Sequence, residues 1–245
     1  MRTMWKRLPY FLLPFVIWAL TLQAWAQPKA WEDSAELSYV QTGGNTDVLT
    51  FSAKNKLTYN FSEKWSGMWK VGILYGETDG VKNAERYNTD LRTDYKPNER
   101  HYYYAMAGWF QDKFAGIDNR YYLGPGAGYR LLNGERNILD VEAGLNYAME
   151  DYTDDTRNDF LEGRGFTKYE FVFNPKTRFS QSLEYLHNFD DGSKYRINTV
   201  TALTTALTEM FSLKVSYEIN YNNKPTPESL KQTDTVFAAA LVVNL

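Results

Sequence analysis

The stretch Val48-Leu49-Thr50-Phe51-Ser52-Ala53-Lys54-Asn55-Lys56-Leu57-Thr58-Tyr59-Asn60-Phe61 decides the fold. From Leu49 the odd positions read Leu, Phe, Ala, Asn, Leu, Tyr, Phe; the even positions from Thr50 read Thr, Ser, Lys, Lys, Thr, Asn. In a strand successive side chains point to opposite faces, so this segment separates into one largely apolar face and one polar face. Helical spacing would mix the two sets.

The same alternation recurs along the chain. In 84–95 Tyr87, Thr89, Leu91, Thr93 and Tyr95 alternate with Arg86, Asn88, Asp90, Arg92 and Asp94. In 211–221 Phe211, Leu213, Val215, Tyr217, Ile219 and Tyr221 alternate with Ser212, Lys214, Ser216, Glu218 and Asn220. The pattern predicts strands at 31–42, 48–61, 65–76, 84–95, 101–111, 119–132, 136–149, 160–173, 177–189, 194–207, 211–221 and 233–245. Each exceeds the roughly 9–11 residues that a tilted strand needs to cross the hydrocarbon of a bilayer.

One set of connections is short: 62–64, 96–100, 133–135, 174–176 and 208–210. The other is mostly longer and richer in charge: 43–47, 77–83, 112–118, 150–159, 190–193 and 222–232. Short inner turns and longer outer loops are the habit of membrane barrels, and an even strand count puts both chain ends on the inner side.

At the N-terminus Arg2, Lys6 and Arg7 precede an apolar run from Leu8 to Leu20, followed by Ala24-Trp25-Ala26. This is the layout of a secretory signal peptide. The run is about 13 residues, too short for a spanning helix, and Pro9 and Pro14 interrupt it. The expected organisation is a signal peptide at 1–26 and one barrel domain at 27–245.

Composition narrows the function. Cysteine is absent, which excludes disulfide staples, thiolate metal sites and thiol catalysis. The net charge of −3 gives a nucleic-acid partner no electrostatic support. Aromatics make up 16% of the chain, with 19 Tyr, yet mean hydropathy is −0.53. A barrel in lipid combines these properties because outward apolar and inward polar residues average out.

A soluble barrel would place the apolar face inside. The placement of aromatics argues for the inverted arrangement. Trp31, Tyr59, Phe61, Trp65, Tyr95, Tyr102, Phe173, Phe179 and Phe211 lie beside short turns, whereas Tyr39, Tyr75, Tyr87, Phe110, Tyr121, Tyr147, Tyr195 and Tyr221 lie beside the other loops. These form two girdles, one per membrane interface. In the fifth segment the lipid-facing set is read as shifting to Tyr102, Tyr104, Met106, Gly108 and Phe110. The fold class is therefore all-β, a closed antiparallel transmembrane β-barrel of about twelve strands.

The ionic faces then line a lumen. The candidates are Lys54 and Lys56; Arg86, Asp90, Arg92 and Asp94; Arg120 and Arg130; Asp140 and Glu142; Arg164 and Glu170; Glu184; Arg196; and Lys214 and Glu218. Acids and bases are nearly balanced, which favours cross-strand pairing over a ring of one sign. The lumen is expected to be narrow or partly closed. Gly124, Gly126 and Gly128 mark where another side chain or loop approaches closely.

Several motifs also carry a resemblance. Gly43-Gly44-Asn45-Thr46-Asp47, Arg86-Tyr87, the run from Asp112 to Arg120, Gly124-Pro125-Gly126-Ala127-Gly128-Tyr129 and Asp234-Thr235 occur in order. Together they resemble the YdiY-like family, a bacterial family of unknown function described as salt-induced outer-membrane proteins. Phe114-Ala115-Gly116-Ile117-Asp118 is the most specific part. The resemblance implies an outer-membrane location and a link to salt or osmotic stress, and brings no catalytic residue.

Chemistry-bearing residues are few. His101 sits beside a turn and reads as interfacial, and His187 lies on the apolar face between Tyr185 and Phe189. A lipid-acting enzyme would need a hydroxyl nucleophile near His187 and a third group to orient it, and no outward Ser neighbours it. The carboxylates of 150–159 fit no calcium-loop spacing and read as an exposed acidic loop. Apolar Phe114–Ile117 between Asp112 and Asp118 points to a folded-in outer loop. No cofactor or metal is expected. The expected partners are outer-membrane lipid and, during insertion, the barrel-assembly machinery; the expected state is a monomer. The leading expectation is a non-enzymatic, narrow or gated channel, followed by a structural barrel with a sealed lumen and then by a lipid-acting enzyme.

Overall fold

A computed structural model describes residues 30–42 and 48–245; the signal-peptide segment and residues 43–47 lie outside the described residues. The strands are β1 (Trp31–Thr42), β2 (Val48–Asn60), β3 (Trp65–Thr78), β4 (Val81–Tyr95), β5 (His101–Asp112) and β6 (Ile117–Asn133). They continue with β7 (Asn137–Tyr152), β8 (Arg157–Asn174), β9 (Thr177–Asn188), β10 (Tyr195–Ala206), β11 (Phe211–Asn222) and β12 (Thr233–Asn244). A single 3₁₀ turn, Lys113–Ala115, joins β5 to β6. Every strand pairs antiparallel with its neighbours in sequence, and β12 returns to β1 to close the barrel.

Closure is required by the solvent. Hydrocarbon offers backbone groups no hydrogen-bond partner, so an open sheet edge is costly there. The seam is registered from Ser34↔Asn244 to Leu37↔Leu241. It is extended by reciprocal bonds between the Asp33 and Leu245 backbones, at 3.3 and 2.9 Å.

Exposure decides which face meets lipid. Phe237 is 69% and Leu123 63% exposed, whereas Glu162 is 1% and Arg120 6% exposed. A water-soluble protein would not present so continuous an apolar outer band. Ring contacts trace both girdles: Trp65–Tyr95 at 4.8 Å near the inner turns, and Tyr185–Tyr195–Tyr221 at 6.0 Å steps near the outer loops.

The fifth strand corrects the sequence reading. Asp94 opposes Tyr104, Arg92 opposes Met106 and Arg86 opposes Asp112. Directly opposed residues share a face, so the even positions of β5 point inward with the charges of β4. Tyr104 is buried, while Tyr103 is exposed on the outer face. Tyr102 and Phe110 therefore leave the girdles, and Tyr103 and Trp109 stand on the lipid side.

The outer connections also differ from expectation. Segment 77–83 shrinks to a turn at Asp79-Gly80, with φ of 51° and 75°, the geometry of a type I′ hairpin. Most of the acidic stretch 150–159 is strand, leaving 153–156 as the connection. The ladders run on past the apolar band because charged, solvated side chains do not prevent backbone pairing. Loop length separates the two ends of this barrel less than expected.

A closed barrel that resists detergent should migrate anomalously when unheated. Unboiled protein from outer-membrane fractions is expected to run at a different gel mobility from the boiled sample; identical mobility would count against the closed fold.

Candidate functional site

The inward residues form three ion-pair networks, several separate pairs and a large cavity. The outer group joins β6, β7, β8 and β10. Arg120 bonds Glu150 at 3.0 Å and Glu162 at 2.8 Å, and Arg196 bonds Glu150 at 2.6 Å and also reaches Glu162. Two guanidiniums and two carboxylates thus close a ring. Asn146 adds a bond to Glu162 at 3.3 Å.

The middle group is built around Tyr104. Arg92 lies over its ring at 4.1 Å and Arg164 at 5.7 Å. Arg164 also donates to the Tyr104 hydroxyl at 2.9 Å. Glu142 bridges the two arginines, 2.9 Å from Arg92 and 2.7 Å from Arg164, and accepts from Tyr102 at 3.0 Å. Asp94 and Glu184 complete the group on Arg92 and Arg164. Gly126 and Gly128 oppose Tyr104 and Tyr102 in register. A Cβ at either glycine would collide with the facing ring, so these are the close approaches that the glycine run foretold.

The third group crosses the lumen. Arg86 on β4 bonds Asp112 at 2.6 Å and Glu218 on β11 at 2.8 Å; Lys54 on β2 reaches the same Glu218 at 3.3 Å. Lys214 on β11 bonds Glu36 on β1 at 2.6 Å. Nearer the inner end Arg130 pairs with Asp140 at 2.8 Å, and Glu170 takes Lys168 and Arg178. Asp90 accepts from the Tyr122 hydroxyl. Lys56 stands on the cavity wall and makes no ion pair among the described residues.

The cavity is lined by residues of all twelve strands. Its volume is about 490 Å³, and Ser34, Ser52, Gly72, Ser216, Val236 and Ala238 give it one low wall. These small residues leave space on a wall that also carries Lys54, Lys56 and Lys70.

Two outer connections meet at its upper end. Asp112 accepts from the Ala115 amide at 3.0 Å, and Gly116 follows with φ of 82°. A Cβ at Gly116 would strike the Thr226 carbonyl of segment 223–232. Ala115, Ile117, Pro225, Lys231 and Gln232 line the cavity beneath. The loop expected to fold inward does so in part: Ile117 is 7% exposed, while Phe114 is 43% exposed.

The remaining candidates are otherwise engaged. Glu150 turns into the lumen, and Arg157 contacts Asp151 and Asp159. The Thr156 hydroxyl and amide hold the Asp154 carboxyl below the usual carboxylate range. Among the described residues no three potential ligands cluster for a metal. His187 Nδ1 lies 3.2 Å from the Tyr185 hydroxyl. His101 sits against Tyr129, with ring centroids 4.8 Å apart.

Sequence reasoning left Tyr102, Tyr104 and Tyr122 out of the lumen. Alternate glycines on the strand after two tyrosine-bearing positions were the available signal for the first two. Glu162 reads from alternation as an inward acid, but its partners Arg120 and Arg196 lie on other strands and only the barrel brings them together.

A closed barrel with an apolar outer band and an ionic interior defines the class: an outer-membrane β-barrel, as populates the outer membrane of Gram-negative bacteria. Residues 35–245 match the family described as "Protein of unknown function, DUF481", and the chain belongs to that family. The Escherichia coli (strain K12) protein YdiY, described as uncharacterized, is 25% identical over 207 residues, covering 84% of this chain and 80% of that protein. The fold is similar to the COG4313 outer membrane channel from Pseudomonas putida F1, with a TM-score of 0.57 and 12% identity, covering 90% of this chain and 97% of that one. It is also similar to the translocator domain of the autotransporter NalP from Neisseria meningitidis, with a TM-score of 0.54 and 11% identity, covering 89% of each chain. The NanC porin gives a TM-score of 0.50 at 7% identity, covering 87% of this chain and 97% of that one.

Removing Glu162 leaves Arg120 and Arg196 facing one another with a single shared carboxylate. Glu162→Ala is expected to destabilise the barrel by about 3–5 kcal/mol, the usual cost of breaking a buried pair from one side. The measurement is the denaturant midpoint of the unheated gel band; an unchanged midpoint would mean that the ring contributes nothing to stability.

Proposed function

We propose that this protein is a non-enzymatic, narrow and gated outer-membrane channel for small polar solutes, acting in the envelope response to salt or osmotic stress. The observation that carries this reading is the cavity, which is surrounded by paired charges and reaches the residues beside the contact between Gly116 and Thr226. Barrels with about 16 strands hold an open aqueous channel; here arginine and tyrosine side chains fill much of a smaller interior. The stress role is supported by the family resemblance. Export through segment 1–26, insertion by the barrel-assembly machinery and action as a monomer belong to the same reading.

A sealed structural barrel is the second reading. Arg86 and Glu218 favour it because they bond across the lumen rather than along one wall. A lipid-acting enzyme finds less support, because the hydroxyl bonded to His187 is that of Tyr185. Lipid hydrolysis by the purified protein, lost in His187→Ala, would overturn the non-enzymatic reading.

In planar bilayers the protein should give small, intermittent current steps. Gly116→Val places a branched side chain in a left-handed backbone, costing roughly 1–2 kcal/mol, and against the Thr226 carbonyl. It should raise open time and make Lys113 more sensitive to protease on intact cells. Large ohmic steps from the unaltered protein would exclude a narrow bore, and no current from either protein would leave the sealed reading.

A further inference from the structure

We propose that Lys56 and Lys70, with Lys54 beside them, form a binding site for a small oxyanion, a phosphate or carboxylate group, on the β2–β3 wall of the cavity. Lys56 and Lys70 are directly opposed in the β2–β3 register. Both line the cavity and are exposed to it. Like charges placed directly opposite on a sheet are destabilising, so the pair needs an explanation.

The surrounding carboxylates supply only attraction at a distance. No ion pair joins any of them to Lys56 or Lys70, whereas Arg86, Arg92, Arg120, Arg164 and Arg196 are all paired. Asp90, the acid with the strongest pull on Lys70, accepts from Tyr122; Glu184 serves Arg164 and Asn198. Around Lys56, Glu170 is occupied by Lys168 and Arg178, and Glu32 remains on β1. Lys168 adds its charge from the facing wall to both lysines. Lys54 is 49% exposed and shares Glu218 with the better-placed Arg86.

The arginines are thus committed to structure, while the lysines present charge to open space. This division suits their chemistry. Arg is a rigid fork that locks into carboxylates, and Lys is a compact point charge with rotatable donors. Opposed strand residues have Cβ atoms about 4.5–5.5 Å apart. Two flexible ammonium groups so placed can both donate to one oxyanion at about 2.7–2.9 Å. Gly72 and Ser52, on the same wall, leave room for it.

Binding at this site does not require that solute pass through; its use as a selectivity step rests on the channel reading. The test is phosphorus NMR of inorganic phosphate titrated with the purified protein in detergent. Saturable broadening is expected, with affinity reduced about tenfold or more in Lys56→Gln/Lys70→Gln, equivalent to at least one charged contact. Lys70→Arg should retain binding, and Lys82→Gln, at the outer end of β4, should not change it. Phosphate should raise the thermal midpoint of the unheated gel band in the unaltered protein and leave the double variant unmoved. Without phosphate the double variant should be at least as stable, since a repulsion has been removed, so its folding is checked in the same gel. Unsaturable broadening, or equal affinity in the folded double variant, would overturn the site. In a second arm, reversal potentials in a KCl gradient should move toward cation preference in the double variant. Lysine-dependent phosphate binding without current would remove the channel reading and leave the site standing.

Discussion

The interior of a bilayer offers the backbone no hydrogen-bond partner, and the rest of this structure follows from that constraint. It obliges the sheet to close, and closure falls at a short registered border between β1 and β12. That border is reinforced from inside. Lys214 reaches from β11 past β12 to Glu36 on β1, and Glu218 reaches from β11 to Lys54 on β2 and Arg86 on β4. These ion pairs connect strands that share no ladder, so they hold together what the backbone holds least.

Closure with lipid outside leaves the lumen as the place for charge. Charges there face an energetic choice: remain hydrated in a wide bore, or pair in a narrow one. Most of them pair, all round the lumen. A buried pair adds little net stability but is expensive to break from one side, so rings such as Arg120, Glu150, Arg196 and Glu162 specify an arrangement more than they deepen a well. Tyr102 and Tyr104 fit only because Gly128 and Gly126 face them. Ser52, Gly72, Ser216 and Ala238 leave space in the cavity, and Lys56 and Lys70 face it.

The strand content was readable almost to the residue because alternation between lipid and lumen is enforced at every crossing. It failed for facing direction in β5, where Tyr102, Tyr103, Tyr104, Ala105, Met106 and Ala107 offer apolar side chains to both faces. Only the register with β4 decides there. Loop lengths were misread at 77–83 and 150–159 because polar, charged sequence was taken to end a strand. Above the membrane nothing forbids a solvated ladder.

The sequence by itself determined an all-β chain with one apolar and one ionic face on most strands, and with it a barrel in lipid, because period two is local and the solvent acts on each strand separately. The tertiary structure alone decided which charges meet. Arg86 with Glu218 and Arg120 with Glu162 are far apart in sequence and adjacent only once curvature, stagger and closure are set. The same closure decided which lysines were left facing empty space, because pairing across a lumen depends on distances that no single strand encodes.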